Sequence, residues 1–291
     1  QAIPKGPLVS LRNFGKALAL KGEILVKLEI FGPSGSLYDK VAGGMLDLAL
    51  ERGAVAKGDT VIEASAGAFA LALAIAAVQR HLNLILCVPA SVSEGRLQLL
   101  SSLGAQLALT DGAAGRGAAA QKAEALAEAG RGYFLNYLEN DDNPEVHRRT
   151  TGPEILADTG GQFSHFVCGV ASGGAISGTA EHIKAWTNGI QITAVEPYES
   201  QVLSGGFPGK HGISGMGMPF IPGNYNPYIV DRIAAVSTGD AQLAAEQVFK
   251  TEGLPCSIAG GAALSAAAEL AAKSESAGKR LIVLLPSKRA L

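Results

Sequence analysis

Short apolar runs alternate with Ala- and Leu-rich stretches of helical length along most of the 291 residues. Thr60-Val61-Ile62-Glu63 reads as a short buried strand, and an apolar helix follows from about Ala70 to Gln79. Asn83 to Val88 reads as a strand and Ser93 to Leu103 as a helix. Ala105 to Thr110 is again strand-like and Ala118 to Ala129 helical. Phe163 to Val170 then predicts a strand and Ile176 to Trp186 a helix. Ile190 to Val195 and Leu281 to Leu285 complete the apolar strand set. Alternation of this kind predicts α/β architecture, with mostly parallel sheets wound by helices. Ligands on such sheets sit at the carboxyl ends of the strands. Gly205 to Pro227, rich in Gly, Pro and Asn, is the longest irregular piece, and loops of that length usually serve function or an interface.

Composition narrows the picture. Hydrophobic residues make up 47% and aromatics only 5%, so the core is built of Ala, Leu, Val and Ile. The 24 basic and 26 acidic residues nearly cancel, with no basic stripe of the kind nucleic acid requires. No apolar run reaches a bilayer span; the one around Phe69 to Val78 stops at Gln79-Arg80-His81. No secretory signal is read at the start, and Cys87, Cys168 and Cys256 form no CxxC pair. Both point to a cytoplasmic protein without a disulfide framework.

Few local patterns carry chemistry by themselves. His165 and Cys168 lie three apart on a predicted strand and face opposite sides. The five histidines lack zinc spacing, so no metal is expected. Asp141-Asp142 reads as a solvated turn. Gly169-Val170-Ala171-Ser172-Gly173-Gly174-Ala175-Ile176 follows a strand and opens a helix. Such a turn either cradles an anion on backbone N–H groups or serves close helix–strand packing.

Set together, several segments give a resemblance. Lys27-Leu28-Glu29-Ile30-Phe31-Gly32-Pro33-Ser34-Gly35-Ser36-Leu37-Tyr38-Asp39-Lys40 is similar to the KLEFFNPGGSVKDR segment of the cysteine synthase family, fold-type II enzymes dependent on pyridoxal phosphate (PLP). Glu63 to Ala70 falls where that family carries EPTSGNTG, Gly169 to Gly178 where it carries GVGTGGTITG, and Ser257 to Ala263 opposite GISSGAA. Asn143 to His147, Thr150 to Ile155, Val195-Glu196-Pro197 and Gly215 to Pro222 also match family patterns. The resemblance runs through almost the entire chain. It implies two interleaved three-layer α/β/α domains of the tryptophan synthase β-like fold. Residues 31–138 would form the small, mobile domain, and 1–30 with 139–291 the large one, with an early hairpin pairing Leu8 to Arg12 with Glu23 to Ile30.

The same resemblance places Tyr38 where the family has its Schiff-base lysine. A phenol forms no imine with an aldehyde. Lys40, two residues on, points away if a helix starts here. In the substrate loop Ser65, Ala66, Gly67, Ala68 and Phe69 keep a hydroxyl only at Ser65: Ala68 stands for the asparagine on the cofactor's phenolic oxygen, and Ala66 and Phe69 for a serine and a threonine. Tyr137 replaces a substrate-contacting glutamine. Ser172, Gly173, Gly174 and Ala175 form a degenerate phosphate loop, open to either reading given above. Ala259 and Gly260 stand for two serines, one of which contacts the pyridine nitrogen. The scaffold matches while cofactor contacts are missing at each station, so no covalent PLP is expected.

Three functions are consistent with this pattern. The first is a pseudoenzyme, expected to form a homodimer, acting through a small-molecule ligand, a partner's C-terminal tail or an active paralogue held in the old cleft. The second is an enzyme whose cleft has been repurposed for PLP-independent chemistry, with Tyr38, Ser65 or Ser172 as candidates. The third is a divergent PLP-dependent cysteine synthase.

Overall fold

The computed structural model describes residues 5–288. The chain opens with β1 (Leu8–Ser10), α1 (Arg12–Ala17) and β2 (Glu23–Leu28). It continues through α2 (Tyr38–Glu51), β3 (Thr60–Glu63), α3 (Ala68–Gln79), β4 (Asn83–Pro89), α4 (Glu94–Ser102), β5 (Gln106–Thr110), α5 (Gly115–Glu128) and β6 (Tyr133–Phe134). Then come α6 (Asp142–Arg149), α7 (Thr151–Thr159), β7 (His165–Gly169), α8 (Gly174–Trp186), β8 (Gln191–Pro197), β9 (Arg232–Val236), α9 (Thr238–Glu252), α10 (Ile258–Ala271) and β10 (Arg280–Leu285). The long Gly205 to Pro227 segment contains neither helix nor strand before a single 3-10 turn at Pro227–Ile229.

Two compact units emerge, and the chain leaves and re-enters one of them. Gly32–Asp142 forms one; residues 5–31 and 143–288 form the other. The first unit holds a parallel sheet ordered β5-β4-β3-β6. Its strands read as continuous apolar runs because helices cover both faces. Ile62, Ala64, Ile85 and Cys87 pack with Ala119 and Ala123 of α5 on one side. Helix α3 is apolar around nearly its whole circumference and buries Phe69, Ala70, Ala72, Leu73, Ala74, Ala76 and Ala77. It stops where Arg80 turns out to make a bidentate pair with Asp47 of α2, both N–O distances being 2.7 Å.

The second unit carries a sheet ordered β1-β2-β10-β7-β8-β9. All pairings are parallel except β1 with β2, in register Leu8↔Lys27 to Ser10↔Leu25. The hairpin expected to reach Arg12 ends at Ser10, because Arg12 already begins α1. Helix α10 lies on this sheet through Ala262, Ala263, Ala266 and Ala267. Its Gly261 is obligatory: a Cβ there would stand 2.1 Å from the Ala241 carbonyl of α9.

One ionic cluster lies in this unit's interior. Lys27 has no accessible surface and donates to the Gly6 carbonyl. Its Nζ is 2.7 Å from a Glu154 oxygen and 4.0 Å from Asp158, and Lys5 pairs with Asp158 in turn. Asp142 corrects the sequence expectation of a solvated turn. It is buried at the start of α6 and takes both Arg52 Nη groups, one at 2.7 Å. Arg52 can reach it because α2 ends there, a proximity that the pair Asp141-Asp142 does not reveal.

Among the described residues no helix is long and apolar enough to cross a membrane. Nor do three or more of their His, Cys, Asp and Glu side chains gather to hold a metal ion.

Candidate functional site

In the first unit, the loop Gly32–Leu37 is held by one side chain. Asp39 accepts from the Ser34 backbone N–H at 3.0 Å on each oxygen, from Ser34 Oγ at 2.8 Å and from the Ser36 N–H at 3.4 Å. Gly35 supplies the left-handed φ of 72° that the turn needs. Tyr38 is thereby fixed as the first residue of α2. Lys40, half a helical turn further, is buried.

A second loop follows β3. Glu63 is buried at its start, and Ala68 opens α3 behind Gly67, with no side chain capping the helix. Ser65 is buried, and the Ala66 carbonyl accepts from Arg96 Nε at 2.9 Å. Phe69 turns inward and is 1% exposed. A third loop follows β6, where Asn136 adopts a left-handed φ of 49°. Asn tolerates that conformation better than most residues. Its carbonyl accepts from the Asn140 N–H, whose side chain ties back to the Leu135 carbonyl.

The three loops bring three rings together. Phe69 and Tyr137 stack with centroids 4.0 Å apart and planes 13° apart. Tyr38 meets both edge-on, at 5.7 Å from Phe69 and 6.3 Å from Tyr137. Edge-to-face and offset-stacked contacts each add about 0.5–1.5 kcal/mol beyond the burial itself. The ring positions named from sequence thus form one cluster, and Ser65 to Ala68 lie on the loop that delivers Phe69.

Two polar residues without a role in the sequence reading complete it. Arg116, in the first turn of α5, holds its guanidinium 5.7 Å from the Tyr137 centroid, with Nη2 3.3 Å from the phenol oxygen. Glu63 joins two loops, since its carboxylate accepts the Ala64 N–H at 2.7 Å and the Tyr137 N–H at 3.1 Å. Arg116 sits in a Gly/Ala-rich stretch whose spacing gave no signal. Glu63 was visible in the loop motif, but its link to Tyr137 spans 74 residues.

Burial dominates the electrostatics. It raises the pKa of Tyr38 and of Tyr137, and in both the Arg116 charge opposes it. Part of Tyr38 nevertheless remains accessible. Burial also pushes Glu63 up to about 7, against the pull of its two N–H donors and Arg116. A carboxyl whose folded pKa exceeds its unfolded value binds its proton more tightly when folded. Stability therefore falls as pH rises from about 4.5 through about 7, and levels off above. The shift corresponds to about 3 kcal/mol. We expect the unfolding free energy of the wild type to drop by about that amount, relative to Glu63→Gln, between pH 5 and pH 8. Urea melts at both pH values read it, and parallel pH dependence in the two proteins would refute the assignment.

In the second unit, Ser172, Gly173, Gly174 and Ala175 join β7 to α8. Ser172 is buried and its Oγ accepts from Asn143 Nδ2 at 3.0 Å. Gly173 has φ 84°, and a Cβ there would lie 2.6 Å from the Tyr225 nitrogen. One on Gly174 would lie 2.0 Å from Asn143 Oδ1. Packing alone therefore demands both glycines. Ala259 and Gly260 lie in the first turn of α10, which Ser257 caps by accepting the Gly260 N–H at 3.3 Å. A Cβ on Gly260 would meet Leu285 at 2.5 Å and Cys256 Sγ at 2.6 Å.

Comparison with known proteins places this architecture. The family model for pyridoxal-phosphate dependent enzymes matches residues 1–287. The chain is 38% identical over 289 residues to a cysteine synthase of Staphylococcus aureus (strain Mu50), covering 99% of this chain and 92% of that protein. It is 39% identical over 296 residues to a cysteine synthase of Haemophilus influenzae, covering 98% and 92%. Among solved structures, O-acetyl serine sulfhydrylase isoform 3 from Entamoeba histolytica superposes with a TM-score of 0.93 at 33% identity, over 99% of this chain and 87% of that one. An O-ureido-L-serine synthase superposes at 0.92 with 28% identity, over 98% and 90%. The tryptophan synthase β-like α/β fold expected from the sequence is the fold observed, and this chain belongs to the family of pyridoxal-phosphate-dependent enzymes that includes the cysteine synthases.

Proposed function

We propose that this cysteine-synthase-like protein holds no covalent PLP and works as a pseudoenzyme, by binding a ligand or partner. The observation that carries the reading is the ring cluster of Tyr38, Phe69 and Tyr137. On the family resemblance, Tyr38 occupies the imine-forming position. The cluster presents phenols, a phenyl ring, a guanidinium and a carboxyl, and none of these condenses with an aldehyde.

The other family stations point the same way. Ala68 has a methyl group where the cofactor's phenolic oxygen needs a donor. Gly260 has no side chain for a ring nitrogen, and its surroundings leave no room for one without movement of Leu285 and Cys256. These residues do not fit a covalently held PLP. Loss at separated stations, in a scaffold otherwise kept, is what adaptation to another role would leave.

Intact mass after borohydride reduction, on protein purified without added cofactor, tests the reading. The expected mass is that of the bare chain, with no imine absorbance beforehand. Cofactor mass fixed on a lysine would reject the reading in favour of a divergent PLP-dependent cysteine synthase.

A further inference from the structure

We propose that Asn188-Gly189 is a site of spontaneous covalent modification, at which the asparagine deamidates through a cyclic imide to aspartate and isoaspartate. This site lies in the second unit and does not depend on what the ring cluster binds.

The first argument is access to the reacting atoms. Helix α8 ends at Trp186, and Thr187 behind it is extended, with φ −141° and ψ 155°. Asn188 and Gly189 then form an exposed turn before the buried Ile190 and strand β8. Among the described residues, neither the Asn188 side chain nor the Gly189 N–H has a hydrogen-bond partner. The nucleophile and the carbonyl it attacks are therefore both open to water and free to meet. Gly189 holds a left-handed φ of 79°, and its surroundings are open: an added Cβ would meet nothing within 4 Å. Lacking a Cβ, it lets the side-chain carbonyl of Asn188 approach its nitrogen closely.

The second argument is selectivity, because other asparagines lack one of these conditions. Asn13 and Asn136 are each followed by an N–H that is already committed: Phe14 donates to Glu252 at 2.8 Å, and Tyr137 to Glu63 at 3.1 Å. Asn143 and Asn226 precede prolines, which have no N–H to give. Asn83 donates its side-chain amide to the Gly58 carbonyl at 2.7 Å.

The chemistry needs only water. The Gly189 nitrogen gives its proton to solvent base and bonds to Asn188 Cγ. The bond from Cγ to the amide nitrogen breaks, and ammonia leaves. Water then opens the imide. Cleavage of the new N–Cγ bond leaves aspartate; cleavage of the original peptide bond leaves isoaspartate, with the chain running through Cβ and Cγ. Either product adds a negative charge just past the C-terminal end of α8, where the helix dipole is already negative.

The test is incubation of the full chain at pH 8 and 37 °C, in buffer and in parallel in urea, followed by trypsin digestion and fragment mass measurement against a sample taken at time zero. Cleavage after Lys184 and Lys210 yields a peptide whose only asparagine is Asn188. We expect its amide to be replaced by a carboxyl in the folded protein. We expect isoaspartate there to accept a labelled methyl group from an isoaspartate-specific methyltransferase. Asn13 and Asn136 should convert about tenfold or more slowly when folded than in urea, since a hydrogen bond to a carboxylate must first break. Gly189→Ala should slow conversion of Asn188, and Asn188→Ser should abolish methyl acceptance by this peptide. Conversion of Asn188 confined to the urea sample overturns the proposal. So does conversion in the folded protein that is no faster at Asn188 than at Asn13 and Asn136, or that Gly189→Ala leaves unchanged.

Discussion

Tyr38→Lys is expected to show no cysteine synthase turnover with O-acetylserine and sulfide, even in excess cofactor. The substitution restores an amine at the first residue of α2, where the Asp39-clamped loop already holds the backbone. It restores nothing else. The family contacts to the cofactor's phenolic oxygen, the substrate carboxylate and the ring nitrogen would still face Ala68, Ala66 with Phe69, and Gly260. Each hydrogen bond to a charged group is worth roughly 1.5–3 kcal/mol. Three such losses amount to about 5–9 kcal/mol, or on the order of 10³–10⁶ in rate. On the family resemblance Phe69, stacked on Tyr137, also replaces a threonine of the substrate-carboxylate loop. Robust turnover from the single change would show that the remaining stations are competent and that the loss rests on Tyr38 alone.

Lys27→Met is expected to cost about 3 kcal/mol of stability, as urea denaturation would show. Methionine fills much of the same volume, so the loss is chiefly electrostatic. Glu154 would be left near Asp158 without the ammonium, and the Gly6 carbonyl without its donor. The value sits at the low end of the range for a broken buried pair because the Glu154 side chain keeps 18% of its surface accessible. Combining Lys27→Met with Glu154→Gln should recover part of the loss, since one of the two carboxylates that face Lys27 is then neutral. A single-variant cost below about 1 kcal/mol would mean that solvent already satisfies these carboxylates.

The α/β alternation was legible because buried parallel strands are uninterrupted apolar runs. Thr60 to Glu63 matches β3, and the expected strand from Asn83 falls one residue short of β4. Two helices start earlier than the pattern predicts: α5 begins at Gly115 rather than Ala118, and α8 at Gly174 rather than Ile176. Glycine at a helix start carries no periodic signal, and its low propensity argues against inclusion. The helix from Thr238 to Glu252 carries a mixed polar pattern that gives no clear period, and β9 is a short apolar run that becomes a strand by pairing with β8. For the candidate site, the motif positions identified which residues line it. What those residues do to one another was not legible. The Phe69–Tyr137 stack, the Arg116 fork and the Glu63 bridge join loops far apart in sequence, and no local pattern encodes them.

The burial of Lys27 and Lys40 bears on how any cofactor-fed preparation should be interpreted. Lys16, Lys21 and Lys57 are exposed amines, open to casual condensation with a dissolved aldehyde. Yellow colour in such a sample is then a measure of surface amines and reagent excess, not of a built site. In a cofactor-fed sample attachment acquires meaning only from the peptide that carries it: tags scattered over the exposed amines would record ordinary solution chemistry.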